Sequence, residues 1–132
     1  MHPAKTIVIN GVLIHDIVSF YKEVNGVFMQ TENWQLAESL DAFNDLLYGS
    51  YGIIKDAEPL ILVWKNHEQS RAALGKAATM AYYEKKLYAG SPFNQELIAQ
   101  KLSELRDDKG LTYFDILIEI IKDHKNITLV LQ

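Results

Sequence analysis

Apolar positions along the chain follow two rhythms. "KTIVI" (5–9), "LILVW" (60–64) and "ITLVL" (127–131) are aliphatic or β-branched runs of strand length, the first ended by Asn10-Gly11 and the second opened by Pro59. The middle run contains no polar residue, which suits a strand buried on both faces. Between these runs the apolar spacing is helical. Ile17, Phe20, Tyr21 and Val24 repeat at i, i+3, i+4 and i+7 after a capping Asp16, and Asn25-Gly26 closes the segment. Leu40, Phe43 and Leu47 form a second stripe, with Ser39 placed to cap it and Gly49 to stop it. Residues 27–37 and 49–58 lack periodicity and read as loops.

The later segments continue the helical pattern. Asn66 followed by Gln69 resembles a capping box opening a helix that reaches about Tyr88, with Gly75 inside it. "AGSP" (89–92) breaks that helix, and Ser91-Pro92 supplies a cap and first-turn proline for a helix over 93–108. After Asp108-Lys109-Gly110, Thr112 and Asp115 can cap a final helix to about Asp123. That helix is apolar nearly all round, so it should be deeply packed, and Glu119 within it must reach solvent or a partner. The expected order is β-α-α-β-α-α-α-β. Strands separated by helices predict an α/β fold, a three-stranded parallel sheet covered by helices with right-handed crossovers. Without repeats or low-complexity tracts, residues 1–132 read as a single domain.

Composition narrows the class. Hydrophobic residues at 48% and charged ones at 23% are ordinary for a globular chain. The absence of cysteine excludes disulfides, thiolate metal sites and a thiol nucleophile. "MHPAKTIVINGVLIHD" does not read as a signal peptide, and no apolar run approaches a membrane span, so a cytoplasmic protein is expected. The net charge of −4 is unevenly spread. Between Thr31 and Glu58 lie Glu32, Glu38, Asp41, Asp45, Asp56 and Glu58 against a single base, Lys55. Such a segment attracts a cationic partner and disfavours nucleic acid, although a solvated acidic face is the commoner meaning of such a run.

One carboxylate is badly placed for its helix. Asp41 and Asp45 stand four apart, where like charges cost a few tenths of a kcal/mol. Asp41 in the first turn favours the helix dipole, whereas Asp45 in the last turn opposes it. Two acids on a helix are weak evidence for acid–base catalysis. No Walker loop, GxGxxG, GxSxG, HExxH or EF-hand pattern occurs, and His2, His15, His67 and His124 have no metal-ligand spacing. No catalytic residue, metal, cofactor or small-molecule substrate is expected. Tyr82, Tyr83, Tyr88 and Phe93 read as core or helix-pair packing, not as a stacking platform for bases.

Taken together, "IVING", "SLDAFNDLLYG", "PLILVWKNHEQS" and "IEIIKDHKNITLVL" resemble the barstar family, bacterial intracellular inhibitors of secreted barnase-type ribonucleases. The likeness covers residues 5–25, 38–70 and 111–132. It implies a barstar-like fold, a small parallel three-stranded sheet covered by helices; residues 71–110 have no counterpart of that length in the family and read as an added helical hairpin packed on itself through Leu87, Tyr88, Leu97, Ile98, Leu102 and Leu105. It also implies a function: an acidic helix and the loop before it block the active site of a basic ribonuclease. Asp41 and Asp45 match the family's two key aspartates and Glu119 its acidic contact near the last helix. Other positions depart from the family pattern. The loop before the helix carries Trp34, Gln35, Leu36, Ala37 and Ser39 instead of tyrosines and a glycine-asparagine pair. Asn44 replaces an aromatic residue, and Tyr51 in the longer following loop can stand in for it.

The expected partner-binding set is therefore Asp41, Asp45, Glu119, Asn44, Glu38, Gln35, Trp34 and Tyr51. The expected partner is a cationic ribonuclease or related toxin, with no nucleic acid and no membrane. A second reading keeps the fold and changes the partner: an interaction or toxin-immunity module engaging something other than a ribonuclease, through the 71–110 helices.

Overall fold

The computed structural model describes residues 4–55, 58–88 and 90–132. The expected signal-free N-terminus, the 49–58 loop and the 89–92 break fall partly outside these residues. Strands β1 (Lys5–Asn10), β2 (Leu60–Lys65) and β3 (Ile127–Leu131) form one sheet in the order β1-β2-β3. Both pairings are parallel, with Lys5 opposite Leu60 and Leu60 opposite Ile127. Around them lie α1 (Ile17–Phe28), α2 (Leu40–Tyr48), α3 (His67–Ala73), α4 (Lys76–Glu84), α5 (Gln95–Arg106) and α6 (Tyr113–Asp123), with a 3₁₀ turn at Gly11–Leu13.

The central strand is not buried on both faces as its apolar run predicts. Leu60, Leu62 and Trp64 are buried, while Ile61 and Val63 between them are half-buried and Val8 beside Val63 is 40% exposed. Topology supplies the reason. Strand order rises steadily from β1 to β3, so two right-handed crossovers place their helices on the same face. Trp64 is the centre of that covered face. Its ring stacks on Phe20 of α1 at 5.8 Å between centroids and meets Phe114 of α6 edge-on at 5.1 Å. Its indole N–H donates to Ser70 Oγ at 2.9 Å, and Phe43 of α2 completes the cluster against Phe20 at 5.5 Å.

Local signals fail where tertiary contacts outweigh them. Helix α1 runs past Asn25-Gly26 to Phe28. Phe28 is fully buried, and the Asn25 side chain accepts from Leu36 N–H at 2.6 Å, which together offset the roughly 1 kcal/mol cost of a helical glycine. Asn66 does not cap with its side chain; it adopts a left-handed conformation, φ 55°. The single helix expected from 66 to 88 is two, broken at Leu74-Gly75. Leu74 sinks into the main core and its carbonyl accepts Phe114 N–H at 3.1 Å, so it is lost to the helix ladder. Helix α5 starts from Asn94, whose side chain accepts Leu97 N–H at 3.1 Å, and not from Ser91-Pro92. The order is thus β-α-α-β-α-α-α-α-β. The capping box of Thr112 and Asp115 forms as expected.

Helices α4 and α5 do share a small core of Tyr83, Ile98, Leu102 and Leu105. Leu87, Tyr88 and Leu97 are not part of it: they are 38%, 54% and 48% exposed. Nor is 71–110 a detached hairpin. Tyr82 meets Tyr113 edge-on at 5.1 Å, and Thr79 Oγ1 accepts the buried Tyr113 N–H at 2.7 Å while donating to Gly75 O at 2.7 Å. Leu74 and Thr79 therefore tie this segment to the main core. Thr79→Val keeps the shape and orphans that N–H, and should cost about 1–3 kcal/mol in urea unfolding. A loss within a few tenths of zero would mean that this bond does not tie α4 to α6. Among the described residues no helix is long and apolar enough to cross a membrane.

Candidate functional site

Helix α2 is anchored from below and charged above. Phe43, Leu46 and Leu47 are fully buried, and Leu40 is half-buried. Ser39 Oγ accepts Ala42 N–H at 3.3 Å, and Gly49 at φ 88° turns the chain out of the helix. This anchoring leaves Asp41 and Asp45 exposed, and among the described residues neither takes part in an ion pair.

The flanking loops are built onto the same helix. Leu36 is 5% exposed and ties the preceding loop to α1 through Asn25, leaving Trp34 and Gln35 exposed beside it. In the following loop Tyr51 folds back so that its hydroxyl donates to Ala42 O at 2.7 Å. Its ring lies edge-on to Trp34 at 4.9 Å between centroids. Burial pushes the Tyr51 phenol up, and the negative charge of Asp45 pushes it further. Tyr51 therefore stays a neutral hydrogen-bond donor at physiological pH. Asp41, Asp45, Trp34 and Tyr51 thus form one patch, an acidic helix edged by two aromatic rings.

The other expected residues take different places. Glu119 is exposed on α6, which packs beside α2, and it also borders a shallow groove with Arg71, Ile118, Lys122 and Leu131. Glu38 is exposed just before α2, at a cavity of about 340 Å³ shared with Asp16, Tyr82, Lys85 and Lys86. Asn44 is half-buried and turned inward, its Oδ1 bound to His124 Nε2 at 2.8 Å. It holds the helix in place and is not free for a partner. His124 and Tyr48, whose rings meet edge-on at 4.4 Å, are the site-shaping residues that sequence reasoning missed. A lone histidine at a helix end gives no periodicity signal, and Tyr48 is hidden behind the stop signal of Gly49.

Catalytic geometry has little to draw on. Among the described residues no three His, Cys, Asp or Glu side chains converge on a common metal position. The buried Tyr21 and Tyr113 hydroxyls bond each other at 2.6 Å, and burial raises both phenols, so they remain protonated structural groups. No protein-family model matches the chain, and no curated protein matches it in sequence.

Proposed function

We propose that the chain is a barstar-like inhibitor: an intracellular bacterial protein that binds a cationic, barnase-type ribonuclease and covers its active site with α2 and the preceding loop. The observation that carries this reading is Asp45. It is exposed, lacks an ion-pair partner among the described residues, and sits where the dipole of its own helix disfavours it. A carboxylate that weakens its own helix gains its use from charge outside the molecule. Asp41 one turn earlier and the Trp34–Tyr51 pair beside it supply a second anion and an aromatic edge. In this reading the carboxylates occupy the places of RNA phosphates, and the protein itself performs no chemistry. In this reading Glu119, exposed on the neighbouring helix, is a further acidic contact for the partner.

A second reading, an interaction or immunity module with a non-ribonuclease partner, draws on Leu87, Tyr88, Phe93 and Leu97. These are large exposed apolar residues on the 71–110 segment, away from the acidic patch's own elements. Titrating a barnase-type ribonuclease with the protein separates the two. Under the first reading RNA cleavage stops at equimolar inhibitor. The association rate then falls by about tenfold or more as ionic strength rises from low to physiological, because an acidic face is steered toward a basic cleft. Undiminished cleavage in the presence of excess folded protein would overturn the first reading in favour of the second.

A further inference from the structure

His124 is 4% exposed, yet it sits at the seam between the acidic helix and the rest of the fold. Its backbone ends α6, donating to Ile121 O and accepting from Ile127 N–H, so the ring's origin is fixed by the α6–β3 turn. The ring reaches across to α2. With Asn44 Oδ1 accepting at 2.8 Å, Nε2 carries the hydrogen, and Tyr48 covers the ring edge-on. Asn44 lies in the turn between Asp41 and Asp45, and Tyr48 ends the helix. One imidazole therefore holds both the middle and the end of the segment that presents the carboxylates.

We propose that His124 is a positioning residue for the acidic helix: buried and neutral, it clamps α2 to α6, and because a charged imidazole needs hydration, acidification favours the state in which α2 has lifted from the ring. The groups around it are few. Asp123 precedes it on α6 and Lys125 follows it in the turn, both exposed. From α2 it meets the Tyr48 phenol and neutral Asn44, while Asp41 and Asp45 point their charge to solvent. Asp123 and the negative end of the α6 dipole both favour a cation here. Burial outweighs them and holds the imidazole below its ordinary range.

The sign follows. When α2 lifts away, the ring becomes hydrated and recovers an ordinary histidine affinity for protons. Above the ordinary value both states are neutral, and the clamp has its full strength. As pH falls through the ordinary value toward the depressed one, the lifted state gains protons first, and the clamp weakens by at most about tenfold per pH unit. Below the depressed value the weakening is complete and constant. Acidification below the ordinary histidine value therefore loosens the hold of α6 on α2, while Phe43, Leu46 and Leu47 keep the helix seated in the core.

The test is an NMR titration of the free protein between about pH 4 and 8, a window that reaches below the ordinary histidine value of about 6.5, for wild type and His124→Gln. The glutamine amide can still donate to Asn44 but cannot charge. In the wild type the His124 ring should titrate below the ordinary histidine range, and the backbone amides of Asn44 and Asp45 should move with it. In His124→Gln those amides should lose that step. Tyr48→Ala provides an independent check should the first variant fold poorly: with the ring uncovered, it should titrate closer to its ordinary value. Amides of α2 that stay still while the ring titrates, or a ring titrating at or above the ordinary value, would overturn the clamp.

The consequence for binding rests on the inhibitor reading, and the two can fail separately. Wild-type affinity for a barnase-type ribonuclease should fall more steeply with acidification than that of His124→Gln. Absent binding with the amide step intact would sink the inhibitor reading and leave the clamp standing. Tight binding with identical pH profiles for the two proteins, and no amide step, would sink the clamp alone.

Discussion

Asp45→Asn should weaken binding to a barnase-type ribonuclease by about 2–5 kcal/mol, roughly thirtyfold to several thousandfold, while leaving the free protein as stable as before or slightly more so. The size of that loss is the general one for buried charge pairs, for which the barnase–barstar interface is itself the reference case. The opposition between the two effects follows from this fold. In the free protein Asp45 is exposed in the last turn of α2, one turn from Asp41, with no cation among the described residues to hold it. Removing its charge relieves a like-charge pair and an unfavourable dipole contact, each worth a few tenths of a kcal/mol. In the proposed complex the same change would leave cations of the ribonuclease desolvated and unpaired, which would cost far more than the helix gains. Thermal melts and binding titrations at two salt concentrations would measure both effects. A variant that melts clearly lower yet binds unchanged would make Asp45 structural and remove the centre of the inhibitor reading.

Trp64→Ala should have the largest effect on folding. The side chain is fully buried in the middle strand, between Phe20 of α1 and Phe114 of α6, and its N–H bonds the buried Ser70 hydroxyl. Truncation leaves a large cavity and strips Ser70 of a partner. Loss of a buried aromatic costs about 3–5 kcal/mol, a large fraction of the roughly 5–15 kcal/mol that keeps a domain folded. The denaturation midpoint should drop sharply, with the loss of the cooperative transition near room temperature as its extreme. A shift equivalent to less than about 1 kcal/mol would mean that the surrounding rings close over the space. The acidic patch should suffer with it, since Phe43 beneath α2 packs on the same Phe20 ring.

What could be read in the sequence is what depends on periodicity and local chemistry. The three strands, the stripe that seats α2 and the capped start of α6 are each written in a few neighbouring residues, and the parallel pairing follows from the helical segments between the strands. What could not be read depends on distant contacts. Gly26 lies mid-helix because Phe28 and Leu36 secure that turn, and Leu74 breaks a helix because its carbonyl is claimed by Phe114. The one-sided burial of β2 follows from strand order, which no run of five residues records. In the candidate site the charged residues were legible, because Asp45 violates its own helix. The inward turn of Asn44 was not, since its partner lies eighty positions away in His124.

The sheet that seats all of this also governs how the chain can assemble. Lys5 pairs with Leu60, and Leu60 with Ile127, so each ladder closes a loop of more than fifty residues before a single strand contact forms. Helices can flicker into place within microseconds, but loops of this size make parallel pairing the slow event. Loop-closure entropy rises only logarithmically, by about 0.6 kcal/mol per doubling of length, so carrying α4 and α5 between β2 and β3 adds little to that barrier. The interval before pairing leaves "LILVW" without a neighbour on either side: five consecutive uncharged, strand-prone residues with no proline among them. At high concentration during refolding, this central strand is where one chain would meet another, and aggregation yield should rise steeply with protein concentration while the native fold, once closed, hides the segment.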